Sequence, residues 1–413
     1  MALATARGDI EEHDTSVLED RYVRTAHELN AGRKIRVELH HDLNSVQGVW
    51  SQLASEAAQN SPGQSFGFTR EWIKHQQIPA NSQLYAVAYI GCRPAALLAL
   101  HIRWRYGIRV LSFFPGAHVG CNGPVVGAAL KQLSEPERQA FWRDVFGALK
   151  GADIAVLRSV PCESGDPLMC LGGIGTRIPV DTLYRAQFES WEECDKTQRG
   201  RSRRKHDRQQ GDKLSALGEV QFEVLRNGDD VDDVINTMFE QRAVRFRAMG
   251  VRNPFQTKGI RDLYRDMLSF DSGVEVVLHV LRLEGRIVAT RYNIVEGERM
   301  FCLISSMSED PAIQAGSPGK QCLLRVMQSI FDDGYRLFDM GAGLTDEKRH
   351  WCNVQMPLYH HYVPLTPLGH LHGRAHQLLH ALRARAKSAR WLLDMRRKFA
   401  QKLQGAERPS GVR

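Results

Sequence analysis

The chain has 413 residues, 43% hydrophobic and 25% charged, the balance of a soluble globular protein of two or three domains. That composition excludes a collagen-like, mucin-like or wholly disordered chain. The net charge of +8 raises nucleic acid, an anionic membrane or an anionic cofactor as partners, but it is localised. Residues 196–213 carry net +6 and residues 371–413 net +9, which leaves −7 for the rest.

No apolar run reaches the 18 or so residues that cross a bilayer, and the N-terminus meets Asp9, Glu11, Glu12 and Asp14 where a signal peptide needs an apolar stretch. Eight cysteines form no C-x-x-C, and several sit in apolar runs such as Met300–Ile304. Reduced thiols in a cytoplasmic protein are expected.

Residues 1–34 are polar and read as a mobile leader. From there Ile35–Leu39 alternates as a strand, followed by helices over Ser45–Gln59 and Arg70–His75 and strands at Gln83–Tyr89, Arg93–Arg103 and Ile108–Phe114. A loop, Pro115–Pro124, precedes a helix over Glu135–Leu149 and a strand at Ile154–Arg158. The hydrophilic run Lys196–Lys213 is either a linker or the first helix of a second domain. A strand at Val220–Val224 and helices over Asp229–Met249 and Thr257–Phe270 follow. Next comes a meander over Val274–Leu283, Arg286–Val295 and Glu298–Met307, turning at Glu284-Gly285 and Glu296-Gly297. The loop Asp310–Gly319 enters a helix over Lys320–Asp332, then a strand at Arg336–Asp339, a helix over Asp346–Trp351 and a strand at Leu358–Val363. After Pro364 and Pro367 the chain reads as an amphipathic helix to about Leu403.

The second region has the order β-α-α-β-β-β-α-β-α-β, with a Gly-rich loop entering a helix directly after the meander. This is the topology of the GNAT acyltransferase fold, and the first region repeats it more weakly. The expected class is mixed α/β: two tandem GNAT-like domains over 35–195 and 196–365, with a basic amphipathic helix and tail over 366–413.

Several segments carry a resemblance. These are Phe66–Trp72, Arg109–Gly116, Gly200–Lys205, Ser317-Pro318-Gly319 with Leu323-Leu324, and Phe338–Gly341 with Lys348–Trp351. In this order and spacing, over roughly 35–365, the chain resembles the CelD/BcsL-type GNAT acetyltransferases, a family associated with cellulose biosynthesis within the FemAB-like tandem-GNAT group. It departs from the family's pattern at Glu347, where a Tyr is usual, and in the loop Gly116–Asn122. The resemblance implies an acetyl-CoA or other acyl-CoA co-substrate.

The loop Gln314, Gly316, Ser317, Gly319, Lys320 and Gln321 is the candidate seat for the cofactor pyrophosphate. Glycine lets the backbone approach, a helix N-terminus favours an anion, and Lys320 adds charge. Its Q-x-G-x-x-G spacing departs from the usual GNAT Q/R-x-x-G-x-G/A, and an ordinary strand-to-helix loop is the other reading. Ser305, or its neighbour Ser306, lies at a strand end where it could orient the thioester or protonate the leaving thiolate. Lys348 follows Gly341-Ala342-Gly343, and in FemAB-like enzymes a Lys in the corresponding motif is thought to stabilise charge on the reacting acyl group. Asp339 ranks first as general base, ahead of Glu240, His279 and His350, although no sequence feature singles one out. Cys322 reads as core. His372, His376 and His380 share a helix face but lack a completing ligand, so no metal is expected.

Two functional classes remain beside an acyl-CoA-dependent N- or O-acyltransferase acting on a saccharide or lipid-linked acceptor for envelope or exopolysaccharide. One is a FemAB-like aminoacyl-tRNA-dependent transferase acting on a peptidoglycan precursor. The other is a catalytically silent tandem-GNAT scaffold. The run Arg199–Arg208 lacks the aromatic interleaving of nucleic-acid binders, so a nucleic-acid partner is disfavoured. The basic face of 371–404 fits either peripheral contact with the inner membrane surface or packing on its own domain.

Overall fold

The first half opens with β1 (Ala26–Glu28) and β2 (Lys34–His40), where Ile35, Val37 and Leu39 are buried at the two-residue period of a strand. It continues through α1 (Gln47–Glu56), α2 (Phe66–Gln76), β3 (Gln83–Ile90), β4 (Arg93–Arg105), β5 (Ile108–Phe113), β6 (Val125–Val126), α3 (Ala128–Lys131), α4 (Glu135–Ala148), β7 (Ile154–Pro161) and β8 (Thr176–Gln187). The second half comprises α5 (Trp191–Gln198), α6 (Arg201–Ser215), β9 (Val220–Arg226), α7 (Asp232–Ala248), α8 (Ile260–Asp266), β10 (Glu275–Leu283), β11 (Arg286–Glu296), β12 (Arg299–Met307), α9 (Pro311–Gln314), α10 (Pro318–Asp332), β13 (Leu337–Ala342), α11 (Asp346–Trp351) and β14 (Val354–Pro364). This computed structural model describes residues 26–28, 34–56, 61–162, 171, 174–378, 382 and 385. The expected leader and most of the expected basic tail lie outside them. Among the described residues no helix is long and apolar enough to cross a membrane.

The fourteen strands among the described residues join one mixed sheet in the order β1-β2-β3-β4-β5-β7-β14-β8-β13-β12-β11-β10-β9, with β6 beside β4. The order β2-β3-β4-β5-β7 of the first half reappears, reversed in space, as β13-β12-β11-β10-β9. At the centre the halves exchange strands: β8 pairs with β13 and β14 pairs with β7, and the two exchanged strands pair with each other. The sequence reading had no strand over 176–187. It contains Pro179, a residue that argues against a strand, which the sheet accommodates at a register shift opposite Leu358 and Tyr359.

Helices cover both faces. On one, α1 and α2 share a single core with α7 and α8, Trp50, Phe68 and Trp72 packing with Ile235, Phe239, Leu263 and Tyr264. On the other, α4 covers the first half and α10 the second. The halves meet closely: a Cβ on Gly67 of α2 would lie 2.5 Å from the Gly273 carbonyl oxygen, and Lys74 pairs with Asp266 at 3.1 Å.

The basic run is a helix, α6, and not a linker. Cys92, Cys121, Cys194, Cys302, Cys322 and Cys352 carry free thiols, whereas Cys162 is disulfide-bonded, against the expectation of reduced thiols throughout.

Candidate active site

β12 and β13 run parallel but are joined only at Arg299–Leu337, Met300–Phe338 and Phe301–Asp339. Beyond that point they diverge, and a cavity of about 680 Å³ opens between them. Cys302–Met307 form one wall, so about 20 Å of strand edge carries no ladder bonds to β13. Asp339–Ala342 form the opposite wall, Gly319 stands at one end, and Arg242 and Arg245 reach in from α7. Lys348, Glu347 and Thr345 come from the start of α11, and His118 and Ser159 come from the first half.

Two features fit this cavity to an anionic, extended thioester such as an acyl-CoA. Gly319, in the first turn of the 15-residue helix α10, lines the cavity, and a Cβ there would crowd the Met307 side chain, its Sδ at 2.8 Å. Arg242 Nε is buried with no hydrogen-bond partner among the described residues. Its guanidinium lies 4.5 Å over the Phe246 ring and donates a long bond, 3.4 Å, to the Ser305 carbonyl. Burial, and then Arg245, lower its hold on its charge, an imbalance that a bound phosphate would offset.

The loop residues expected to cradle the pyrophosphate divide. Gly319 lines the cavity. Gly316 faces α6, where a Cβ would meet Leu214 at 2.8 Å. Gln314 ends the short helix α9 and its amide donates back to the Ser308 carbonyl. Ser317 caps α10 in a left-handed conformation with φ 50°. Gln321 is buried and donates to the Asp207 carbonyl at 2.8 Å, tying α10 to α6. Lys320 is half-buried and is not among the lining residues.

Lys348 and Asp339 both line the cavity, already engaged. Lys348 Nζ donates to the carbonyls of Gly341, Ala342 and Gly343 at 3.1, 2.6 and 2.8 Å, which uses all three of its protons. Burial lowers its pKa, partly countered by Asp339. Asp339 receives Arg185 Nε at 2.7 Å on one oxygen and the Gly341 N–H at 2.7 Å on the other. Arg185 comes from the exchanged strand β8 and is 2% exposed. Ser305 is exposed in the cavity wall. Ser306 is buried in a chain with Thr290 and Gln241, at 2.8 and 2.7 Å. Of the other base candidates, Glu240 and His350 are exposed away from the cavity. His279 is buried against Asn293 at 2.9 Å, its ring stacked on Phe222.

The sequence reading did not select His118. It sits in the 3-10 turn Gly116–Val119, its ring 5.3 Å from that of Trp72 and 6.2 Å from that of Phe255. Burial lowers its pKa, so the imidazole is neutral at pH 7. It also lines a second cavity, of about 480 Å³, in the first half, and Ser159 is shared in the same way. The signal was positional: the His118 loop follows the third meander strand of its half, the place the Gln314–Gln321 loop holds in the other.

Three of the basic run's eight Lys and Arg side chains are ion-paired, while Arg201, Lys205 and Arg208 are exposed. Arg199 bridges Asp195 and Asp207, Arg203 pairs with Asp207, and Arg204 with Asp195. Leu214, near the C-terminal end of α6, packs against Gly316 just before α10, and Gln321 of α10 reaches Asp207 within the basic run, while Arg201 lies about 20 Å from Leu214 along the helix. Among the described residues no group of three or more His, Cys, Asp or Glu could hold a metal ion.

Residues 201–349 match the model of an acetyltransferase (GNAT) domain family, the CelD/BcsL-like one. No curated protein matches the chain. Among solved structures it is similar to FemX, at 11% identity and TM-score 0.54, over 81% of this chain and 100% of that one. It is also similar to L-PGS from Bacillus licheniformis, at 13% identity and TM-score 0.48, over 79% and 96% of the two chains. A tandem GNAT protein from the clavulanic acid biosynthesis pathway matches at 12% identity and TM-score 0.40, over 80% and 99%. The mixed α/β sheet with its two similar halves is therefore the fold shared with FemX, and residues 201–349 within it are an acetyltransferase (GNAT) domain.

Proposed function

We propose that the protein is an acyl-CoA-dependent N- or O-acyltransferase. Its acceptor is an amine- or hydroxyl-bearing saccharide or lipid-linked precursor of envelope or exopolysaccharide, and transfer is direct, in a ternary complex. The observation that carries the reading is the divergence of β12 from β13 beside the start of α10, with Arg242, whose buried Nε has no hydrogen-bond partner among the described residues, among the residues lining the gap. The saccharide class rests on the family resemblance. The thioester supplies an activated acyl carbon. Arg242 and the first turn of α10 hold the phosphates, and the open edge of β12 aligns the thioester arm. Lys348 and the Asp339–Arg185 pair act as positioning residues that fix the Gly341–Gly343 loop against it. Ser305 faces the leaving sulfur. His118 accepts the acceptor's N–H or O–H proton as the new bond to the acyl carbon forms; the C–S bond breaks and the released thiolate takes a proton back. The pairing of Arg199, Arg203 and Arg204 with carboxylates reduces the free positive charge that a tRNA-dependent alternative would draw on.

Calorimetry of the full chain with acetyl-CoA tests this. Saturable binding is expected, weakened about tenfold in Arg242→Gln, the loss of one charge-assisted contact. His118→Gln should keep that affinity but slow thiol release with an accepted amine by about 10²–10⁴, and the acid limb of the wild-type profile should lie below pH 6.5, the ordinary histidine value. A wild-type protein that does not bind acetyl-CoA would overturn the proposal.

A further inference from the structure

The first half repeats the divergence that makes the active-site cavity. β5 and β7 run parallel, pair only at Val110–Ile154 and Leu111–Ala155, and then separate around the 480 Å³ cavity. Three guanidinium side chains line it, Arg103, Arg105 and Arg158, with no Asp or Glu among its described lining residues. The three are close enough that Arg105 and Arg158 both lower the hold of Arg103 on its proton, in addition to the effect of burial. All three residues remain solvent-exposed, which screens their mutual repulsion, but gathered without a counter-charge they make the cavity positive. Arg103 is nevertheless held in place, its Nε donating at 3.0 Å to Nε2 of His101. His101 is buried and its pKa is lowered to about 3, so it stays a neutral acceptor. At the mouth, Tyr106 is 86% exposed at the tip of the β4–β5 hairpin and stacks on His372, with ring centroids 6.2 Å apart. His118 and Ser159 line both this cavity and the active-site cavity.

We infer that this first-half cavity is the acceptor site and that the acceptor is phosphorylated. Arg103, Arg105 and Arg158 hold its phosphate or diphosphate, Tyr106 offers an aromatic face to its sugar or base, and its nucleophile lies at His118, facing the acyl carbon. Three arginines around one cavity without a carboxylate match a multiply charged oxyanion. The inference rests on the acyltransferase reading for the direction of transfer; the anion site itself stands on the arginine cluster alone.

The test is calorimetry of the full chain with inorganic pyrophosphate and, separately, with inorganic phosphate. Wild type should bind pyrophosphate saturably. Arg103→Gln/Arg158→Gln should weaken it at least fivefold with the thermal midpoint unchanged, and Arg105→Gln should weaken it in the same direction. Tighter binding of pyrophosphate than of phosphate supports a diphosphate-linked acceptor, and equal affinities support a phosphomonoester. Absence of saturable pyrophosphate binding, or a loss below fivefold in the folded double variant, overturns the inference. Acetyl-CoA affinity is read on the same samples. Pyrophosphate binding that depends on Arg103 and Arg158, in a protein that does not bind acetyl-CoA, would refute the acyltransferase reading while leaving the anion site. The reverse result would refute only the anion site.

Discussion

Asp339→Asn separates two roles for the most buried carboxylate of the cleft. Asp339 and Arg185 face each other across the β13–β8 ladder, 5% and 2% exposed, with Arg185 Nε donating at 2.7 Å. Removing one partner of such a pair leaves an uncompensated buried charge, at a cost of about 3–5 kcal/mol. Asparagine keeps the shape and can still accept from the Gly341 N–H, so the lower end, about 3 kcal/mol, is expected. The cost falls on the contact between β13 and the exchanged strand beneath the cavity. Urea unfolding followed by tryptophan emission measures it. Arg185→Met combined with Asp339→Asn should recover at least about 1 kcal/mol relative to Asp339→Asn alone, because the orphan charge is gone. The folded variant should bind acetyl-CoA within a few-fold of wild type. A variant within about 0.5 kcal/mol of wild type, no larger than a surface substitution, but unable to release thiol, would refute this reasoning and make Asp339 the proton acceptor.

Lys348→Met keeps the stem of the side chain but leaves three loop carbonyls without their donor; set against the relief of burying an ammonium, a net loss of about 2 kcal/mol in urea unfolding is expected. Lys348→Arg should not restore it, since a planar fork cannot meet three convergent carbonyls. Glu296 has its carboxyl pushed up to about 7, chiefly by burial. The folded state therefore holds this proton more tightly than the unfolded chain, and stability is lost as pH rises through the window from 4.5 to about 7. Glu296→Gln should raise the thermal midpoint at pH 8 and leave it nearly unchanged at pH 4, with a difference of up to about 3 kcal/mol. Gly67→Ala places a methyl against the Gly273 backbone and should destabilise by about 1–3 kcal/mol, read as a lower urea midpoint; an unchanged midpoint would mean that α2 does not dock there.

The sequence by itself determined the elements whose causes are local. The buried alternation of Ile35, Val37 and Leu39 needs no partner to be recognised. Nor do the meander turns, where Gly285 and Gly297 take φ of 73° and 60°, values that glycine adopts without strain. From these the order of each half, its fold class and the position of the loop before α10 were legible. Only the tertiary structure decided what those elements meet. Strand β8 was invisible because it carries a Pro, at 179, and its ladder partners lie 150 or more positions away. Arg185 and Asp339, 154 residues apart, form a buried pair that no spacing announces. Lys348 could be picked out by its place after a glycine-rich loop, but its three carbonyl partners could not. His118 went unselected because its proposed role rests on its lining two cavities, which no local pattern shows. Local propensity and patterning are properties of neighbouring residues, whereas burial, ion pairing and the convergence of two clefts are set by contacts between distant ones.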